Sequence, residues 1–341
     1  MTAPPRTRRE GARILVTGSQ GFVGTHLRHA LGLRGCECVG VDVPGSGAEI
    51  ERDLGARDLD PAGLVAEAGA IDAVLYMAAR ITRGSSVDAE ARANLRAIAE
   101  APPRLMEAFL AAGQRPHLVA CSTFKMYGPS RPERETAEGA IDPADPPQRP
   151  DPHSYGSAKF LAERLLELSA ERAGYRFAVV RPSCIYGPGQ HAKNAIPRFL
   201  AALLEGGRPT VYGAGASVRD DVFAPDLCWL MVEAALRGAT GAYHGAGEKS
   251  RTIAEVAALA CEVAREEGVA DVEPLLDRAK TPKWWIDQRF DLGSARERLG
   301  YAPTPLKEGL RAQLRWMRAG ADPAETWRFG LTDGAEGEGT P

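Results

Sequence analysis

The chain has 341 residues, enough for one large α/β domain or two smaller ones around a sizeable core. Its formal net charge of −3, from 42 basic and 45 acidic residues, gives no electrostatic case for nucleic acid or an anionic membrane as partner. No apolar run reaches the ~18 residues of a membrane span, residues 1–10 lack the apolar stretch of a signal peptide, and the 6 cysteines are scattered without a CxxC. A cytoplasmic protein with buried thiols and no metal site is the expectation.

Arg13-Ile14-Leu15-Val16-Thr17 is a short apolar run that ends in Gly18-Ser19-Gln20-Gly21-Phe22-Val23-Gly24 and leads into a helical stretch over 25–33. A second run over 38–42 ends on Asp42, and another over 73–77 leads into Ala78-Ala79-Arg80. Residues 88–112 read as a long helix with a break at Pro102-Pro103. A strand over 117–122 follows, then a turn-rich segment over 128–152, the helix carrying Tyr155 and a strand over 177–181. Strands alternating with helices at this spacing predict an α/β fold with a doubly wound parallel sheet of the Rossmann type. The strands show little alternation, as expected when both faces are covered. After Pro182 the texture changes to short helices, glycine turns and strand fragments. The chain therefore divides into a lead-in (1–10), a dinucleotide-binding domain (11–181), a smaller C-terminal α/β substrate lobe partly interleaved with it (182–329), and a glycine-rich flexible tail (330–341).

Gly18, Gly21 and Gly24 follow a predicted strand and open a predicted helix. A tight turn, close backbone approach to a pyrophosphate and close helix–strand packing each exclude a Cβ, and a helix N-terminus offers N–H groups to phosphate. Asp42 ends the next strand, where a carboxylate accepts from both adenosine ribose hydroxyls and repels a 2′-phosphate, which favours NAD over NADP. The alternative for Asp42 is a turn residue before Pro44-Gly45. Asp53-Leu54 is placed to border the adenine, and Ala78-Ala79 to leave room for the cofactor backbone. Asp151 and Pro152 suit the N-cap and first turn of the next helix. Tyr155 and Lys159 then share one helical face, with Tyr155 near the positive end of the dipole. An ammonium beside a phenol favours its ionised form, so the pair can exchange a proton with a sugar or alcohol hydroxyl.

Together these residues resemble the extended short-chain dehydrogenase/reductase family, in its nucleotide-sugar epimerase/dehydratase branch, over roughly residues 13–312. The motifs are Thr17 to Gly24, Ser122-Thr123-Phe124-Lys125-Met126-Tyr127-Gly128, Tyr155 with Lys159, Arg181-Pro182-Ser183-Cys184-Ile185-Tyr186-Gly187-Pro188-Gly189, Val211-Tyr212-Gly213-Ala214-Gly215, and Arg219-Asp220 through Asp226. The resemblance implies NAD as cofactor, held by Gly18, Gln20, Gly21, Phe22, Val23, Asp42, Asp53, Leu54, Met77, Ala78, Ala79, Tyr155, Lys159 and Pro182. It implies a nucleotide-sugar substrate touched by Arg80, Thr123, Phe124, Lys125, Cys184, Asn194, Val211, Tyr212 and Arg219. Thr123 becomes the hydroxyl partner of Tyr155, Lys159 holds the nicotinamide ribose, and Arg219 pairs with the substrate diphosphate, or else with Asp220 or Asp221. Asn194 either touches the nucleotide or caps a helix, and Asn94 is mainly structural. A homodimer through the helices over 88–112 and 154–172 is also implied. Ala158, Leu161, Leu165 and Leu168 give the latter an apolar stripe that would look the same facing the sheet.

Departures from the family narrow the chemistry. Its dehydratases carry an Asp-Glu pair directly after the threonine, where this chain has Phe124 and Lys125. Cys184 stands where relatives usually have Asn, and Met77 replaces a common His. The usual Arg and Asp near Thr281-Pro282-Lys283-Trp284 are absent, with Lys283, Trp284, Trp285 or Arg289 as candidate substitutes. An NAD-dependent nucleotide-sugar C4 epimerase is the expectation. A 4-ketoreductase or dehydrogenase using the same residues is the first rival, and a non-catalytic dinucleotide sensor the second.

Overall fold

The computed structural model describes residues 11–79, 91–92, 94–127, 155–190, 194–280 and 288–320. Arg80, the Asp151-Pro152 cap, the turn-rich segment over 128–152 and the 281–285 stretch lie outside the described residues, as do residues 1–10 and the 330–341 tail.

The chain enters at the middle of its main sheet. Strand β1 (Arg13–Thr17) pairs in parallel with β2 (Glu37–Asp42) on one side and with β4 (Ala73–Tyr76) on the other. Beyond β2 lies β3 (Ile50–Glu51); beyond β4 come β5 (His117–Cys121), β6 (Phe177–Pro182) and β11 (Gly241–Gly245). The resulting order, β11-β6-β5-β4-β1-β2-β3, reverses direction at β1. In such sheets the crevice beyond the carboxyl ends at the switch point receives the ligand.

Side chains alternate between two apolar faces. Ile14 and Val16 pack with α1 (Phe22–Leu33) and α6 (Ala224–Arg237), whereas Leu15 packs with α2 (Pro61–Ala68) and α3 (Ala101–Ala111). Both faces being covered, the strands read as continuous apolar runs. The chain leaves the sheet after β6 and returns to it with α6 and β11. A third core, built on Phe199, Leu200, Val256, Leu310 and Leu314, belongs to the small lobe. Its helices are α5 (Ala195–Leu204), α7 (Ile253–Glu266) and α9 (Leu306–Ala319). Three two-stranded pairs complete it: β7 (Cys184–Tyr186) with β10 (Asp221–Phe223), β9 (Val218–Arg219) with β12 (Arg251–Thr252), and β8 (Thr210–Tyr212) with β13 (Leu275–Asp277).

The expected break at Pro102-Pro103 is displaced upstream. Leu95–Glu100 is a π-helix, and α3 starts at Ala101 with both prolines in its first turn. Proline has no N–H to donate to a preceding turn, and the wider turn ahead of the pair absorbs the mismatch.

Helix α4 (Tyr155–Ala173) is joined to β6 by a buried ion pair, Arg181 Nη2 donating to Glu163 at 2.6 Å. Arg181 Nη1 donates to Tyr127 Oη at 2.7 Å, Tyr127 donates to His244 Nε2 at 2.8 Å, and His244 Nδ1 donates to the Asp291 carbonyl at 2.8 Å. A carbonyl only accepts, so His244 carries a proton on Nδ1; with Nε2 accepting from the Tyr127 hydroxyl, the ring is neutral.

Burial pulls the pKa of His26, His117 and His244 down to about 4. Below pH ~6.5 the unfolded chain therefore binds protons that the folded chain refuses, which removes stability as pH falls toward about 4. Burial acts oppositely on Asp220 and on Asp226, the latter pushed up to about 6 while accepting from Thr304. Three imidazoles outweigh two carboxyls. Urea unfolding curves should show a midpoint that drops between about pH 7 and pH 5; a flat or rising midpoint contradicts this balance.

Candidate active site

Thr17, Asp42, Tyr76 and Cys121 end neighbouring strands, so the loops behind them converge on one edge of the sheet. Gly18 has φ +70°, in the left-handed region, and its amide donates to the Val41 carbonyl at 2.8 Å. A Cβ on Gly24 would stand 2.1 Å from the Gly18 carbonyl oxygen, so the first turn of α1 lies directly on the strand end. That helix starts at Phe22, earlier than expected, and no side chain caps it. The amides of its first turn, Phe22 and Val23 among them, have no side-chain cap and can receive an anion.

Asp42 accepts the Gln20 amide and the Val43 amide, each at 2.8 Å. Its carboxylate thus both shapes the glycine loop and stands at its rim. Thr17 Oγ1 accepts the amides of Met77 and Ala78 at 3.0 and 3.1 Å, which draws the loop after β4, with Ala79, against the glycine turn. The Asp53 carboxylate accepts the Gly55 amide at 2.9 Å. Leu54 is buried in the core, so only its backbone can meet a ligand there. Pro182 is buried at the end of β6. A glycine cradle that a Cβ would fill, together with the rim carboxylate, fits the phosphates and ribose of a dinucleotide.

Tyr155 opens α4 and Lys159 follows one turn later. Lys159 is only 4% exposed and donates to the Cys121 carbonyl at 2.5 Å. Burial lowers the pKa of its ammonium, against the opposing pull of Cys121 and Glu163. Its Nζ lies 5.8 Å from the centre of the Tyr155 ring. Thr123 follows the end of β5 and caps a single 3₁₀ turn, Phe124–Met126, by accepting the Lys125 amide at 3.3 Å. The Lys125 ammonium lies 5.6 Å from the same tyrosine ring, while Phe124 turns toward Phe290. The tertiary structure therefore brings Thr123, Lys125, Tyr155 and Lys159 together at the edge where the cradle also lies. A separate cavity of about 310 Å³ runs along β6 and α4, lined by Phe177, Val179, Arg181, Glu163 and Thr240 but by none of these four groups.

On the small-lobe side, Arg219 forks onto Asp221, its Nε donating at 2.7 Å and its Nη2 donating to the other carboxylate oxygen. The intramolecular alternative for Arg219 is thus realised, with Nη1 unengaged among the described residues. Cys184 lies beside Asp221 in the β7–β10 register, and burial pushes its thiol up to about 11. Asn194 occupies the N-cap position of α5 without a side-chain cap bond, so its exposed amide does not serve the helix. Val211 is 2% exposed within the small-lobe core and offers no side chain to a ligand; its neighbour Tyr212 is exposed, with Lys280 5.1 Å from its ring. Arg251, not singled out by its sequence, sits directly opposite Arg219 in the β9–β12 pair and is ion-paired to Glu248. No local signal marks it, because a strand pair joining distant segments creates the proximity.

A profile of the NAD dependent epimerase/dehydratase family matches residues 14–244. The chain belongs to that family. NAD is accordingly its cofactor, and the glycine cradle has the form such a cofactor needs. A dTDP-glucose 4,6-dehydratase of Mycolicibacterium smegmatis is 28% identical over 95% of this chain and 97% of its own length. A dTDP-4-dehydro-6-deoxy-D-allose reductase of Streptomyces sp. is 27% identical over 90% of this chain and 97% of its own. Among solved structures, UDP-glucose 4-epimerase of Thermotoga maritima superposes with a TM-score of 0.75 at 25% identity, covering 91% of this chain and 100% of the other. Within the family, Asp42 has the position to discriminate NAD from NADP. Replacing Asp42 with Ala should weaken NAD binding about ten- to a hundredfold, the worth of ~1.5–3 kcal/mol of charge-assisted hydrogen bonding, and narrow its lead over NADP. Fluorescence titration with both dinucleotides measures this, and an unaltered NAD/NADP ratio would remove Asp42 from the ribose.

Proposed function

We propose that this chain is a nucleotide-sugar 4-epimerase. The observation that carries the proposal is the grouping of Tyr155, Lys159 and Thr123 beside the cradle, with Phe124 and Lys125 at the two positions where elimination of water needs carboxyl groups. Bound NAD supplies the hydride acceptor and donor for the sugar C4. Tyr155 takes the proton of the C4 hydroxyl and later returns it. The Lys159 ammonium stabilises negative charge on the phenol oxygen, and Thr123 orients the sugar oxygen by hydrogen bonding. Turning the keto sugar over within the cleft lets the second proton and hydride arrive on the opposite face. Arg219, through Nη1, and Arg251 supply positive charge for the substrate diphosphate, and Asn194 an amide for the nucleotide.

Several relatives are dehydratases by name. Phe124 has no titratable group and Lys125 carries an ammonium, so neither replaces a carboxylic acid that must give up or take a proton from sugar carbons. Net reduction of a keto sugar is the second reading, favoured by the likeness to the Streptomyces reductase and by its need for the same residues. Supplying UDP- and dTDP-hexoses and following products by NMR should reveal C4 epimers without accumulation of NADH. Tyr155→Phe should bind NAD normally and lose at least about a thousandfold in kcat. Steady NADH consumption with a keto sugar would replace the epimerase with the reductase, and full activity of Tyr155→Phe would sink both.

The assembly we propose is a homodimer. Leu161, Leu165 and Leu168 form an exposed row on α4 at 41%, 37% and 49%, with Leu95 exposed on the π-helix packed beside it. The apolar stripe thus faces outward, and Ala158 alone of the four turns inward. A second copy of the same helix pair buries such a row by an isologous contact. Light scattering should report twice the 36.4 kDa chain mass, reduced to one chain by the double change Leu165→Glu with Leu168→Glu; a monomeric wild type refutes the assembly.

A further inference from the structure

We propose that Lys125 selects a substrate whose sugar carries a carboxylate on the carbon next to the reacting one, that is, a nucleotide-linked hexuronate. The inference rests on the C4 epimerase proposal, because it takes Tyr155 to mark where the C4 oxygen sits.

Backbone geometry gives Lys125 a defined origin. Its amide donates to Thr123 Oγ1 at 3.3 Å, and a Cβ on Gly156 would stand 3.1 Å from its carbonyl oxygen, so the 3₁₀ turn is pressed against the opening of α4. From there the ammonium extends to 5.6 Å from the Tyr155 ring centre, nearly the distance of Lys159 at 5.8 Å. The two lysines differ in what they hold. Lys159 is buried and spends a proton on the Cys121 carbonyl. Lys125 is exposed, and neither a carboxylate nor a carbonyl among the described residues accepts from its ammonium.

Among the described residues, the acids near the site are engaged elsewhere. Asp221 is forked by Arg219, Glu163 by Arg181, and Asp220 accepts from the Gly247 amide and the Ser250 hydroxyl. Beside the proton-transferring phenol, this ammonium has no counter-charge among the described residues and is placed to meet an anion from the substrate. The diphosphate is far along the molecule from C4, on the side of Arg219. Of the two carbons flanking C4 in a hexose, C3 bears a neutral hydroxyl, while C5 bears the C6 group. Only oxidation of C6 to a carboxylate puts a full negative charge within reach of Lys125. A hydroxymethyl group there would leave the ammonium with a neutral acceptor, a weaker partner than a charged one.

The test compares UDP-glucuronic acid with UDP-glucose, and the matching dTDP pair, on the full-length enzyme. Wild type, Lys125→Met and Lys125→Arg are assayed for kcat and KM, and calorimetry measures binding of the same sugars to Tyr155→Phe with and without Lys125→Met. The wild type should favour the uronate at least tenfold in kcat/KM. Lys125→Met should cut the uronate/hexose ratio ten- to a hundredfold, mainly through KM, and Lys125→Arg should restore most of it. The binding ratio in the Tyr155→Phe background should fall in parallel. An equal or greater wild-type preference for the hexose, or a ratio indifferent to Lys125→Met, overturns the proposal. Turnover of neither sugar would instead indict the epimerase proposal, and the calorimetric ratio alone would then decide whether Lys125 reads the carboxylate.

Discussion

A hydrogen bond from the buried Lys159 ammonium to the Cys121 carbonyl, 2.5 Å long, ties α4 to the end of β5. An ammonium taken out of water needs compensation, and here a main-chain oxygen at the end of a strand provides it. The bond fixes the rotation of α4 about its own axis. Tyr155, one turn earlier, is thereby brought to the same edge as the turn that starts at Thr123, and the close approach of Gly156 to the Lys125 carbonyl completes the junction. Whatever chemistry the phenol performs depends on that anchoring, because the lysine reports its charge to the ring from a place it cannot leave.

The other half of the site depends on the absence of side chains. Gly18 in a left-handed turn and Gly24 against its carbonyl let α1 begin on top of β1, and Thr17 then gathers the loop after β4 by accepting two of its amides. Asp42 adds an acid at the rim, its carboxylate held by the Gln20 and Val43 backbone amides. The edge combines amide donors and one carboxylate at the cradle with ammonium groups at the phenol. That division suits a long ligand with phosphates in its middle and reacting atoms at its end.

Within the small lobe the charged groups are largely paired inside the protein. Arg219 with Asp221, and Asp220 with Gly247 and Ser250, brace β9 and β10 against the segment that follows β11. The Arg181–Glu163–Tyr127–His244 chain performs the same bracing between β6, α4 and the approach to α8 (Gly293–Leu299). Tyr127, Arg181, Asp220 and Asp221 lie in family-like motifs yet brace the scaffold, since a buried charge must find a partner wherever the fold puts it.

The amino-acid sequence by itself determined the parallel α/β sheet, the glycine turn, the acid at the end of β2 and the Tyr155–Lys159 spacing. Each is local: an apolar run, a missing Cβ or a helical repeat is written in adjacent residues. Beyond its reach lay the partner of Arg219, the burial of Val211 and Leu54, the outward face of Leu161, Leu165 and Leu168, and the meeting of Arg251 with Arg219. Helical periodicity shows that a stripe exists but not which way it points, and an arginine looks the same whether an aspartate or a ligand receives it. The π-turn before Pro102 shows the same limit, because two prolines announce a disturbance while the packing of the preceding turn decides where it falls. Tertiary structure settled these points because each depends on contacts between segments far apart in the chain.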